Sequence, residues 1–86
     1  MSKRRFIMFK NKNGGRNNLC GEHVRELRLA HPGKLSQRAL ADKMQLIGID
    51  VDKNAIQRIE CGKRFVTDIE LKAFAEIFGV GVEKLV

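Results

Sequence analysis

Residues 35–64 read LSQRALADKMQLIGIDVDKNAIQRIECGKR, and this stretch decides the fold. Ser36 has a hydroxyl suited to capping a helix N-terminus, and the residues after it keep a helical period. Leu40, Ala41 and Met44 fall on one face, which predicts a helix over Gln37 to Met44. Asp52 is a second capping residue, and Ile56 and Ile59 form the apolar face of a helix running to about Glu60. Gly62 is placed to stop it. Between the two helices lie Gln45 to Val51, with Gly48 in the middle. The small Ala41 facing Ile56 and Ile59 suits two helices that cross steeply and approach closely.

If Ile56 and Ile59 face inward, Lys53, Asn54, Gln57 and Arg58 share the opposite face. Arg and Lys match the O6 and N7 acceptors of guanine, and Asn and Gln match the N6 and N7 edge of adenine. Four such side chains with no acid among them exceed what a solvated face requires. Taken alone, the pattern is also compatible with a plain polar surface. Its neighbours favour a ligand. Gln37 sits in the first turn of a helix, where backbone N–H groups and a side-chain amide hold phosphate, and Lys63 and Arg64 follow the second helix directly.

Outward from this stretch the helical pattern continues. Upstream, Val24, Leu27 and Ala30, with Cys20 one turn earlier, make one apolar stripe that ends at Pro32-Gly33. Downstream, Thr67-Asp68-Ile69-Glu70 has the form of a capping box. The helix it opens presents Leu71, Phe74, Ala75 and Phe78 and stops at Gly79. Val82 and Leu85 belong to a last short helical turn, so the expectation is a compact all-α bundle of five helices.

Length and charge agree with a small binding module. The 86 residues carry 17 Lys and Arg against 10 Asp and Glu, a formal charge of +7. One domain fits this length, and no large-fold enzyme does. The excess is uneven: residues 1–18 hold Lys3, Arg4, Arg5, Lys10, Lys12 and Arg16 and no acid, which is +6. Residues 19–86 are nearly neutral at +1. Residues 1–18 therefore read as a flexible basic arm, in which Lys3, Arg4 and Arg5 would add attraction for a polyanion, ahead of a domain over 19–86. The apolar cluster Phe6 to Phe9 within it suits either a short strand pairing with a second chain or a patch packed on the body.

Together the runs LSQRALADKM, NAIQRIECGKR and TDIELKAFAEIFGVGVEKL resemble the helix-turn-helix domain of the phage repressor and Cro (Xre-like) regulators. The likeness spans about Leu19 to Leu85. It implies a five-helix bundle whose third helix enters the DNA major groove, usually as a homodimer on a two-fold-related site. Carried over by position, it implies that Lys53, Asn54, Gln57 and Arg58 meet bases and that Gln37, Lys63 and Arg64 meet phosphates. It also implies a structural ion pair between Arg28 and Glu60. Where the usual turn has about three residues, seven lie between Met44 and Asp52, so this is an extended-turn variant. Leu46, Ile47, Ile49 and Val51 are expected to tuck that turn onto the core. The loop His31 to Lys34 is also long, and Lys34 reads as a solvated residue.

Other chemistries are less well served. Cys20, His23, His31 and Cys61 lack zinc-finger spacing, so no metal or other cofactor is expected. No phosphate-binding glycine loop and no nucleophile with a base and an orienter is present, so no enzyme is expected. Two cysteines without an export signal, and no apolar run long enough for a membrane span, favour a reduced, cytoplasmic setting. The competing function is protein interaction on the same fold, as in an antitoxin that binds a toxin as well as its operator.

Overall fold

The computed structural model describes residues 17–86. Four α-helices follow one another: α1 (Gly21–Ala30), α2 (Gln37–Leu46), α3 (Lys53–Glu60) and α4 (Asp68–Phe78). A single 3-10 turn, Val82–Lys84, follows α4. No strand occurs among the described residues. The expected fifth helix is thus one tight turn, which is all that the short segment after Gly79 can form once Leu85 is anchored with no exposed surface.

The capping chemistry is local. Ser36 Oγ accepts from the Ala39 N–H at 2.9 Å, and Asp52 Oδ1 accepts from the Ala55 N–H at 2.8 Å. At α4 the box closes both ways, since Thr67 Oγ1 accepts from the Glu70 N–H and Glu70 Oε1 accepts from the Thr67 N–H. Gly79 ends α4 in the left-handed conformation, φ 68°.

Val24, Leu40, Met44, Ile56, Ile59, Phe74 and Leu85 have no exposed surface and form the centre of the core. Ala41 is buried on α2, and its small size suits the packing of α2 against α3. Cys20 is buried in the same cluster at the start of α1.

Two boundaries differ from the sequence reading. Helix α2 runs two residues past Met44, and this exposes the turn. Leu46 lies about 200° round the helix from Met44, on the outer side, and it is 84% exposed. Ile47 is also exposed, so neither residue tucks onto the core. Val51 is buried and Ile49 half-buried, and these two anchor the turn. Gly48 makes the reversal at φ 89°, and the Gln45 side-chain amide donates to the Val51 carbonyl at 2.9 Å across it.

The second difference lies at the N-terminus. Residues 1–16 of the expected basic arm, with Lys3, Arg4, Arg5 and Phe6 to Phe9, fall outside the described residues. Asn17 and Asn18 belong to the body. The Asn17 N–H donates to the Gly62 carbonyl at 2.7 Å. Asn18, 1% exposed, accepts from the Gly21 N–H at 2.8 Å and donates to the carbonyls of Ile59 at 3.0 Å and Arg64 at 2.7 Å. It therefore supplies the side-chain cap that Cys20 does not, and it ties the start of α1 to the end of α3.

Candidate nucleic-acid interface

The eight residues of α3 divide cleanly by face. Ile56 and Ile59 are wholly buried, while Lys53, Asn54, Gln57 and Arg58 are all exposed and adjacent on the outer side. The Asp52 cap holds the first turn of this face, so Lys53 and Asn54 sit on ordered rather than frayed helix.

The far end of α3 is held by charge. Glu60 is 7% exposed. It accepts from Arg28 through Nε at 2.7 Å and Nη2 at 3.0 Å, and from Gln37 Nε2 at 3.0 Å. Arg28 Nη1 donates in turn to the Leu35 carbonyl at 3.0 Å. Withdrawing two charges from water is costly, and the cost is offset only when the remaining hydrogen-bonding positions are filled as well. Here α1, α2, α3 and the loop before α2 all contribute. The Arg28–Glu60 pair is thus a joint that fixes the rotation of α3, and with it the direction of the outer face.

Gln37 has two amide hydrogens and gives one to Glu60. Its amide is thereby oriented at the N-terminus of α2. No acidic side chain occupies that first turn. Gln37 is half-buried, and Arg38 next to it is exposed. It lines a cleft of about 350 Å³ between α2 and the start of α3, together with Asp42, Gln45, Asp52, Lys53 and Asn54. The sequence reading passes over Arg38, although a base in the first turn of the helix that precedes the exposed α3 face marks it. The same cleft contains Asp42 and Asp52, which balance Arg38 and Lys53 in formal charge.

Lys63, three residues past α3, is exposed, and its N–H donates to the Arg58 carbonyl at 2.8 Å. Arg64 is engaged differently. Its guanidinium forks onto Glu70, Nη1 to Oε1 and Nη2 to Oε2 at 2.9 Å each, and Nη1 also reaches the Phe65 carbonyl at 3.1 Å. The hydrogen bonds to Glu70 raise the Arg64 pKa above its ordinary value, against the opposing effect of burial. Burial pulls the Glu70 carboxyl upward, but the bonds from Arg64 and Thr67 outweigh it and leave its pKa lowered. Arg64 joins the α3–α4 loop to the first turn of α4.

Among the described residues, no group of three or more His, Cys, Asp and Glu side chains is arranged to hold a metal ion. Cys20 is buried and Cys61 exposed, and neither is in a disulfide. No helix among the described residues is long and apolar enough to cross a membrane.

A helix-turn-helix family model matches residues 24–85, from the middle of α1 to the end of the terminal turn. The chain belongs to the Xre-like helix-turn-helix family, that of the phage repressors and Cro. This family is one of DNA-binding regulatory domains. Six residues, 47–52, lie between α2 and α3, and Leu46 and Ile47 are exposed where α2 ends. No match was found among curated proteins or solved structures.

Proposed function

We propose that this helix-turn-helix protein is a sequence-specific double-stranded DNA-binding transcriptional regulator that reads the major groove with α3. One observation carries the reading. The exposed face of α3 is an acid-free set of base-matching side chains, Lys53, Asn54, Gln57 and Arg58, on a helix whose rotation is fixed by Ile56, Ile59 and the Arg28–Glu60 joint. Arg58 and Lys53 match guanine, and Asn54 and Gln57 match adenine.

Gln37 and Lys63 flank that face and would set register on phosphates, with the Gln37 amide held by Glu60. Arg38 joins them at the edge of the cleft. Arg64 has a different part in this reading: its fork is committed to Glu70, so it shapes the loop that presents Lys63 instead of reaching the backbone itself. Lys3, Arg4 and Arg5 would add affinity that does not depend on sequence. Two copies would bind a two-fold-related site, as helix-turn-helix dimers do.

The contribution of Arg58 is separable from that of Lys63. Arg58→Ala should weaken binding to a preferred site by about 1–3 kcal/mol and relax the preference at one base pair. Lys63→Ala should weaken binding to all sequences alike and lower the salt slope by about 0.9, the value for a single phosphate. An equal weakening on every sequence for Arg58→Ala would contradict base reading by α3. The alternative reading is antitoxin-like, in which the fold holds a protein partner as well as or instead of DNA.

A further inference from the structure

The extended turn and α4 flank an open, partly apolar groove of about 320 Å³, away from the polar face of α3. Ile47, Ile49 and Ile69 form its apolar walls, Ala73 its floor, and Lys72 and Glu76 the rim on α4. Ile69, Lys72, Ala73 and Glu76 follow helical spacing, so they present one stripe of α4. Ile69 is 67% exposed and Ile47 42% exposed, with Leu46 beside Ile47 in the chain. Isolated apolar residues on a surface need no explanation, but Ile47 and Ile69 are exposed together on one groove whose rim is charged.

The rim identifies the occupant. Lys72 and Glu76 stand one turn apart with opposite charges, and neither side chain makes an ion pair or hydrogen bond within the described residues. Lys preceding Glu at this spacing is the weaker order for a pair within one helix, so nothing in the chain itself draws them together. A foreign partner of one dominant charge would meet one favourable and one repulsive group. A second copy related by a two-fold axis meets both favourably, because Lys72 of each copy then faces Glu76 of the other, and a two-fold contact must be self-complementary in this way. Ala73 between them permits close approach of the two helices.

We propose that the groove is the surface on which two copies of this chain pair, α4 against α4, with the apolar residues of both extended turns closing over the contact. This inference rests on the pairing of copies proposed above and names its surface. The extended turn thereby acquires a role: the two extra residues of α2 and the reversal at Gly48 carry Leu46 and Ile47 outward to the partner.

The test is the oligomeric state of the full chain by sedimentation, over a dilution series through the micromolar range. The wild-type chain should show a concentration-dependent monomer–dimer equilibrium, and Ile69→Glu should weaken it about tenfold or more by burying a charge at the contact. Lys72→Glu and Glu76→Lys should each weaken it by placing like charges opposite one another. The double variant, Lys72→Glu with Glu76→Lys, should restore pairing to near the wild-type value, a rescue that only a second copy of the chain provides. The Lys72 and Glu76 variants exchange one good helix former for another, and the double variant keeps the net charge. A dimer indifferent to every substitution would overturn the proposed surface and leave pairing itself standing. A chain that stays monomeric at all concentrations, or a double variant that remains as weak as the single ones, would overturn it too.

Discussion

Glu60 shows how much one side chain decides. It lies on the inner side of α3 yet is a carboxylate, which is tolerated because Arg28 and Gln37 surround it with donors. Removing one member of such a pair leaves a buried charge without its counter-ion, and Arg28→Ala should destabilise the fold by about 3–5 kcal/mol in denaturant unfolding. An effect under about 1 kcal/mol, typical of an exposed pair, would mean that the joint is not closed in solution. The Arg64–Glu70 pair makes a prediction in pH. The Glu70 pKa is lowered on folding, so its contribution is present above the ordinary carboxylate value of 4.5 and is lost as pH falls through the lower value in the folded chain. Glu70→Gln keeps the capping box but not the charge. Its melting temperature should therefore fall below that of the wild-type chain near neutrality and converge with it in acid. A constant gap at all pH values would assign the effect to something other than this carboxylate.

At the scale of elements, the parts that local chemistry controls were legible in the sequence. Ser36, Asp52 and the Thr67–Glu70 box all cap the helices they announce, because a cap bonds an N–H only two or three residues on. The division of α3 into faces was equally plain from Ile56 and Ile59. What the sequence did not disclose depends on residues far apart in the chain. Asn18 looks like one more polar residue of an Asn-rich basic tail, and its role follows from carbonyls at Ile59 and Arg64, more than 40 residues away. Arg64 looks as free as Lys63 until Glu70 is seen opposite it. Leu46 and Ile47 look like core residues because they are apolar, but a helix that continues two residues further turns Leu46 to the outside. Asp52→Ala tests the link from element to function. It should cost about 1 kcal/mol of stability and also weaken DNA binding, because the first turn of α3 carries Lys53 and Asn54. Unchanged binding at temperatures well below unfolding would show that the order of that turn does not matter to recognition.

Over the whole molecule, the +7 total conceals a division of labour. The near-neutral region from residue 19 onward contains the placed side chains of α3, while the excess charge lies in residues 1–18. Because Asn17 and Asn18 are structural, the informative truncation removes residues 2–16 and leaves these two in place. It should reduce affinity for all DNA and lower the salt slope by about 0.9 for each phosphate no longer neutralised, without altering which sequence is preferred. A changed preference would move part of the readout from α3 to that segment.

Whether α3 reads sequence is the deciding question. Selection of binding sites from a random pool of double-stranded DNA at physiological salt, using the full chain, addresses it without intermediate assumptions. Base reading by α3 requires enrichment of a motif in which guanine and adenine positions lose their definition when Arg58 and Gln57 are replaced by Ala, and two-fold symmetry in that motif reports the pairing of copies. Recovery of an unenriched pool, with binding that depends only on salt, would show that α3 does not read bases.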